Sequence, residues 1–223
     1  MKKLIFLSLI LHCSLLIDHC YSQWQPDTRL TNAAGFSTNS DLSSSGSNLH
    51  AVWQDTRDGN GEIFYKRSTN EGLTWETDIQ LTNLVSSKSL PSISASGSNI
   101  HIVWQDNRNG NFEIYYKRST DGGSNWDADV RLTNNPAVSQ DAVIKAEGTA
   151  VNVIWRDTRS GNYEIFYKRS TDNGNTWSAD TMLTNHTTGL ASSISLTSTG
   201  SNLHVAWSDS RNSDDYEIYY KRS

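Results

Sequence analysis

The chain has 223 residues, 35% of them hydrophobic, and 19 Lys and Arg against 24 Asp and Glu give a formal net charge of −5. An acidic balance of this kind argues against non-specific binding to nucleic acid or to anionic membranes. Roughly 200 residues can bury a full core, and no long apolar run follows the N-terminal stretch, so a globular domain without membrane insertion is expected.

Met1, Lys2 and Lys3 precede an apolar stretch from Leu4 to Ile17. A basic start and a short apolar core make residues 1–22 a signal peptide, with cleavage after Ser22 and a mature chain at 23–223. Secreted or periplasmic export follows. The competing reading, a lipoprotein anchored through Cys20, has Asp18 and His19 where a lipobox carries small residues. Both cysteines, Cys13 and Cys20, lie in this leader, so the mature fold depends on packing and not on disulfides.

Beyond the leader, self-similarity dominates. Trp24, Trp75, Trp126 and Trp177 recur every 51 residues, as do the Leu-Thr-Asn triplets beginning at Leu30, Leu81, Leu132 and Leu183. Trp53, Trp104, Trp155 and Trp207 form a second series, each followed by an Asp-x-Arg (Asp55/Arg57, Asp106/Arg108, Asp157/Arg159, Asp209/Arg211). Glu-Ile-aromatic-Tyr-Lys-Arg-Ser then begins at Glu62, Glu113, Glu164 and Glu217.

Each unit predicts four short strands. The first is rich in small residues, as in Pro91 to Ser96, and Gly97 turns it into a second strand from Ile100 to Gln105. There Ile100, Ile102 and Trp104 share one face while His101 and Val103 share the other. Neither face is cleanly polar, which suits a sheet sandwiched between two others. Asp58-Gly59, Asn109-Gly110 and Ser160-Gly161 are hairpin residues, the third strand is aromatic and β-branched, and the fourth ends at Leu-Thr-Asn. Asn212 to Asp215 lengthen the last copy of the hairpin. Four-stranded units at this period are propeller blades, a linear solenoid being the competitor. The expected fold is an all-β, four-bladed β-propeller of antiparallel blades: 36–83, 90–134, 140–185, and 191–223 completed by 24–31. The N-terminal strand is thus expected to pair with Glu217 to Arg222 and close the ring. A monomer is expected, with a strand-swapped dimer as the alternative.

The segments between strands three and four carry a more specific signal. Ser68, Asn70, Gly72 and Trp75 stand in the first copy, Ser119, Asp121, Gly123 and Trp126 in the second, and Ser170, Asp172, Gly174 and Trp177 in the third. This spacing resembles the Asp box of sialidase-like BNR repeats, Ser-x-Asp-x-Gly-x-Thr-Trp, with Asn70 replacing Asp and Asn125 replacing Thr. The resemblance implies a structural role for these turns, on the face away from an active site. It also raises a sialidase-like glycoside hydrolase with fewer blades. The expected Arg-Ile-Pro motif of sialidases is absent, and nearly every arginine fills a repeated slot.

Residues repeated in every copy are most simply structural. Arg57, Arg108, Arg159 and Arg211 form either an anion-binding ring or inter-blade pairs with their aspartates, and His50, His101 and His204, with Asn152 in the remaining copy, suggest hydrogen bonding more than metal binding. No cofactor and no metal is expected. Residues that break the repeat mark a specific site better: Phe36, Asp41, Lys88, Asp141, Arg156 and His186. Asp41 and Asp141 near the starts of inner strands, with Arg156, are the candidate catalytic groups; the four repeated arginines, Lys88 and His186 are candidate ligand contacts. The main expectation is a non-enzymatic module binding a glycan or an extracellular protein. Its rival is the glycoside hydrolase, which predicts Asp41, Asp141 and Arg156 converging in one asymmetric cleft.

Overall fold

A computed structural model describes residues 24–212 and 215–223; residues 1–23, which hold the expected signal peptide, and residues 213–214 of the lengthened last hairpin lie outside the described residues. Residues 24–30 carry no helix or strand. All strands belong to a compact unit running from Thr31 to Ser223.

Four antiparallel sheets follow in chain order, each built by pairing every strand with the next. The first holds β1 (Ser37–Ser45), β2 (Asn48–Asp55), β3 (Glu62–Ser68) and β4 (Ile79–Gln80). The second holds β5 (Lys88–Ser96), β6 (Asn99–Asp106), β7 (Glu113–Ser119) and β8 (Val130–Arg131). The third holds β9 (Ser139–Glu147), β10 (Ala150–Asp157), β11 (Glu164–Ser170) and β12 (Thr181–Met182). The fourth has three strands: β13 (Ala191–Thr199), β14 (Asn202–Asp209) and β15 (Glu217–Arg222).

The fourth strand expected from residues 24–31 is therefore not formed. In the other sheets the last strand spans only two residues and follows its partner after a self-braced segment of ten residues, close in the chain. A strand so short, supplied from the far end of the chain, would have to offset a large loop-closure entropy with very few hydrogen bonds.

The core lies between sheets, in three layers. Val52, Ile63 and Tyr65 of the first sheet meet Ile93, Ile100, Ile102 and Trp104 of the second. Val103, Ile114 and Tyr116 meet Ile144, Val151, Val153 and Trp155 of the third. Ile154 and Ile165 meet Val205 and Trp207 of the fourth. Because both faces of β6 and β10 are covered, every residue from Ile100 to Asp106 is buried, His101 included.

The Leu-Thr-Asn triplets lock the crossovers between sheets. Thr82 Oγ1 accepts from Ile63 N at 2.9 Å and donates to the buried Glu62 at 2.5 Å. Thr133 with Glu113, and Thr184 with Glu164, repeat the pattern. Lys88 joins this layer: it is fully buried, with Nζ 2.8 Å from Glu62 and also bonded to the carbonyl of Leu84. It thus clamps the crossover from inside and does not reach a ligand surface. A charged residue is rarely buried without a partner, and here the partner comes from the preceding sheet.

The Ser-x-Asp/Asn-x-Gly turns between strands three and four close on themselves. Ser68 Oγ accepts from Gly72 N at 2.9 Å, and Asn70 Oδ1 accepts from Thr74 N at 2.9 Å, the bond that Asp121 makes with Asn125 N and Asp172 with Thr176 N. The side-chain amide and backbone N–H of Asn125 hold the Asp121 carboxyl down at about 2. Asn70 and Asn125 therefore preserve the bracing. The turns also staple sheets together. Trp126 meets the edge of Tyr65 at 4.9 Å and Trp177 meets Tyr116 at 5.0 Å, while Arg67 Nη1 donates to Gly122 O at 2.7 Å and Arg118 Nη1 to Asn173 O at 2.7 Å.

Gly123 and Gly72 separate two costs of substitution. Both have left-handed backbone, φ +89° and +85°, but a Cβ on Gly123 would overlap the Tyr65 hydroxyl, whereas one on Gly72 meets only Leu49 Cδ1 at 3.2 Å. Gly123→Ala is expected to lower stability by ~1–3 kcal/mol more than Gly72→Ala, since the conformational penalty is common to both. Urea unfolding of the two variants side by side gives the difference.

Candidate functional site

The first strands of successive sheets lie side by side, β1 against β5, β5 against β9, and β9 against β13. Together they wall a cavity of about 620 Å³ to which all four sheets contribute. Each wall strand breaks register at the same place. The breaks fall between Thr38 and Asp41, Ser89 and Ser92, and Ser192 and Ser195, while the third sheet passes from the Gln140–Arg156 pair to Val143–Ile154. At each bulge one non-glycine residue turns left-handed: Asn39 (φ +52°), Leu90 (+51°), Asp141 (+54°) and Ser193 (+50°).

Bulges re-aim side chains, and left-handed non-glycine residues concentrate at functional sites because their strain must be held by surrounding structure. All four of these residues line the cavity. The architecture is fourfold, but its chemistry is an amide, an isobutyl group, a carboxylate and a hydroxyl. Asn39, Leu90 and Ser193 escaped the sequence reading. Their signal was available as the residues occupying the repeat position of Asp141.

Asp41, Asp141 and Arg156 do converge on this cavity. Asp41 is deeply engaged in structure: its carboxylate accepts from Ser92 Oγ at 3.0 Å, Ile93 N at 2.8 Å and Leu42 N at 2.8 Å, pinning β1 to β5. Asp141 is ion-paired with Arg156 Nε, and its backbone N–H donates to Gln105 Oε1 at 3.1 Å. The Arg156 guanidinium stacks 4.4 Å above the Tyr163 ring and donates to the amide oxygen of Gln140 at 2.6 Å. Arg156 is thus oriented from both sides. Asn39 and Gln54 occupy the same two positions in the first sheet and are joined by a hydrogen bond of 2.8 Å.

The four repeated arginines stand on the β2–β3, β6–β7, β10–β11 and β14–β15 loops, each folded back onto its own sheet. Arg57 grips Asp55 through Nε (2.9 Å) and Nη2 (2.7 Å), reaches Asp78 at 3.0 Å and stacks 4.1 Å from Phe64. Arg108 and Arg159 repeat the arrangement with Asp106 and Asp129, and with Asp157 and Asp180; Arg211 pairs with Asp209 over Tyr219. Tryptophan completes the motif, Trp53 Nε1 donating to Asp55 at 2.9 Å. Bonds from Arg57 are the main cause that holds the Asp55 carboxyl well below the usual range. These pairs lie within a sheet and do not bridge sheets. His186 sits in the crossover after β12, half-buried, where its backbone N–H donates to Glu164 at 2.6 Å.

No family model matches the chain, and no curated protein matches it. Among solved structures, an α-L-arabinanase of Penicillium chrysogenum in complex with arabinobiose superposes with a TM-score of 0.63 at 14% identity, over 84% of this chain and 62% of that one. A GH93 α-L-arabinofuranosidase of Fusarium graminearum gives a TM-score of 0.66 at 12% identity with the same coverages. A Trypanosoma rangeli sialidase gives 0.56 at 12% identity over 83% of this chain and 36% of that one. The likeness defines the class: an all-β protein with the propeller fold that these glycoside hydrolases use. The chain spans under two thirds of the arabinanase and about a third of the sialidase.

Proposed function

We propose that this protein is a glycoside hydrolase of the propeller type, acting on a neutral saccharide in the four-sheet cavity. The observation that carries the reading is the site itself, a broad, open depression of about 620 Å³ built by bulges from all four sheets and lined by two carboxylates and one oriented guanidinium. The fold-level likeness to arabinan- and sialoside-acting enzymes supports it as analogy. Asp41 and Asp141 outweigh the one positive charge of Arg156, which itself pairs with Asp141. A ligand bearing its own carboxylate would meet net repulsion there, so a neutral sugar fits better than a sialic acid. Export through the leader would place the substrate outside the cell, on a glycan.

Asp141 is the group expected to exchange protons with the glycosidic oxygen or with water, and Arg156 to position it. Aryl α-L-arabinofuranosides and an aryl sialoside are the test substrates. The arabinofuranoside is expected to turn over, and Asp141→Asn to lower the rate ~10²–10⁴-fold. Asparagine tolerates the left-handed backbone, so circular dichroism should not change. Absence of hydrolysis across a panel of neutral aryl glycosides would overturn the enzymatic reading.

A second reading, saccharide binding without turnover, rests on the engagement of Asp41. If its carboxylate stays committed to Ser92 and Ile93, one carboxylate is left for chemistry where glycosidases use a pair. Calorimetric binding of a neutral oligosaccharide without hydrolysis would select it. The Asp-box ancestry of the turns remains part of this proposal, as the source of the staples and not of the site.

A further inference from the structure

The residue that follows the tryptophan of the second strand is Gln54, Gln105 and Arg156 in the first three sheets. Two copies of this slot, one sheet apart, meet at Asp141. Arg156, in Asp141's own sheet, pairs with the carboxylate. Gln105, in the sheet before it, accepts from the Asp141 backbone N–H on Oε1 at 3.1 Å. The other end of the same amide donates from Nε2 to Ser89 Oγ at 2.9 Å.

Gln105 is buried, and a buried amide is costly unless both of its ends are paired, so each bond helps to fix the other. The two bonds also join two register breaks. Ser89 opens the break in β5 and precedes the left-handed Leu90, while Asp141 is the left-handed residue in the break of β9. A bulge residue has left the ladder of strand hydrogen bonds and needs a hold from elsewhere. Among the described residues, Asp141 is the only one of the four left-handed bulge residues whose N–H is met by a side chain of the neighbouring sheet. Gln54 turns its Oε1 to Asn39 Nδ2 in its own sheet, and a guanidinium such as that of Arg156 carries donors only.

We propose that Gln105 is a positioning residue of the cavity, fixing Asp141 from the second sheet so that its carboxylate meets the saccharide at a set place. The inference rests on the reading of Asp141 as the proton-exchanging group. Arg156 governs where the carboxylate oxygens point, whereas Gln105 governs where the residue that bears them stands. A misplacement of about 1 Å at a reacting group can cost ~10²-fold in rate.

Gln105→Leu, close in volume and without an acceptor, tests this against the parent, with an aryl α-L-arabinofuranoside as substrate and the Asp141 amide followed by 15N NMR. The expected result is a kcat lower by ~10–10²-fold with KM changed less than about twofold. The Asp141 amide proton is expected to move upfield and to exchange faster with solvent. In Gln105→Glu the carboxylate can accept from both the Asp141 N–H and the Ser89 hydroxyl, so this variant is expected to restore the amide signal and most of kcat. Should Gln105→Leu fail to fold, Ser89→Ala, which frees only the Nε2 end, is expected to give a smaller loss in the same direction. An Asp141 amide unmoved by Gln105→Leu, an unchanged kcat, or a loss confined to KM would overturn the proposal. If the parent hydrolyses no glycoside, the enzymatic reading falls by itself, and the Asp141 amide signal still decides whether Gln105 holds that residue.

Discussion

Asp157→Ala is expected to destabilise the protein by ~3–5 kcal/mol, a large part of the ~5–15 kcal/mol that a domain commands. Asp157 is fully buried at the end of β10 and accepts from Arg159 N (2.9 Å), Nε (3.0 Å) and Nη2 (2.6 Å), Trp155 Nε1 (3.0 Å) and Ser139 Oγ (2.8 Å). Burial opposes its ionisation, but the bonds from Arg159, Trp155 and Ser139 prevail and hold its carboxyl below the usual range. Removing the carboxylate leaves a guanidinium stacked on Phe166 with only Asp180, which it shares with Lys168, to hold it, and orphans the indole N–H of a buried tryptophan. The urea midpoint measures the loss. Asp58→Ala, on an exposed hairpin, is the control and should shift stability by less than ~0.5 kcal/mol. An equal effect of both would show that the Asp-x-Arg clamp is ornamental.

Acid is expected to weaken the fold in two separate windows. His50 and His101 are buried, their Nε2 atoms lack a partner, and their Nδ1 atoms lie 2.7 Å from the Tyr65 and Tyr116 hydroxyls. Burial, and then the charges of Arg67 and Arg118, lower both imidazoles to about 4. Between about 6.5 and 4 the unfolded chain takes up protons that the folded chain refuses. Stability should therefore fall as the pH drops through that interval, by roughly 1 kcal/mol per pH unit for each histidine, and these residues add no slope above it. The clamped aspartates act lower. Their folded carboxyls are depressed, so their contribution is present above about 4 and is lost only as the pH falls further.

The third sheet supplies the variant that separates the windows. There Asn152 replaces histidine and accepts from Tyr167 Oη at 2.8 Å. The double substitution His50→Asn, His101→Asn is expected to keep the tyrosine bonds and flatten stability between pH 6.5 and 4, leaving the lower window intact. Urea midpoints at pH 7.5, 5.5 and 4.5 decide it: a parent and a double variant with parallel profiles would remove the histidines as the cause.

Much of this was legible because the chain repeats itself. Trp104, Asp106 and Arg108 form a local clamp, so their spacing alone nearly determines the contact. Gly97 and Gly110 adopt the left-handed turns their positions implied. Asp41, Asp141 and Arg156 could be singled out because they depart from their repeat slots. What escaped depends on distant contacts. Lys88 looks like a surface residue until Glu62, 26 positions earlier, is placed beside it. Leu90 gives no hint of a left-handed backbone, since leucine has little preference for one; the bulge is imposed by the sheet around it. The repeat predicts an N-terminal strand by counting a surplus strand at one end and a missing one at the other, and such a count contains nothing of the entropy of bringing the two together.

The bulges have a consequence for how such a protein can change. At positions 39, 90, 141 and 193 an amide, an alkyl group, a carboxylate and a hydroxyl all sit on a backbone with nearly the same positive φ, within a few degrees of one another. The conformation there belongs to the scaffold and not to the residue. Under the proposed function, one substitution at a bulge is therefore expected to change the chemistry that lines the cavity while leaving the folding of the sheet as it is.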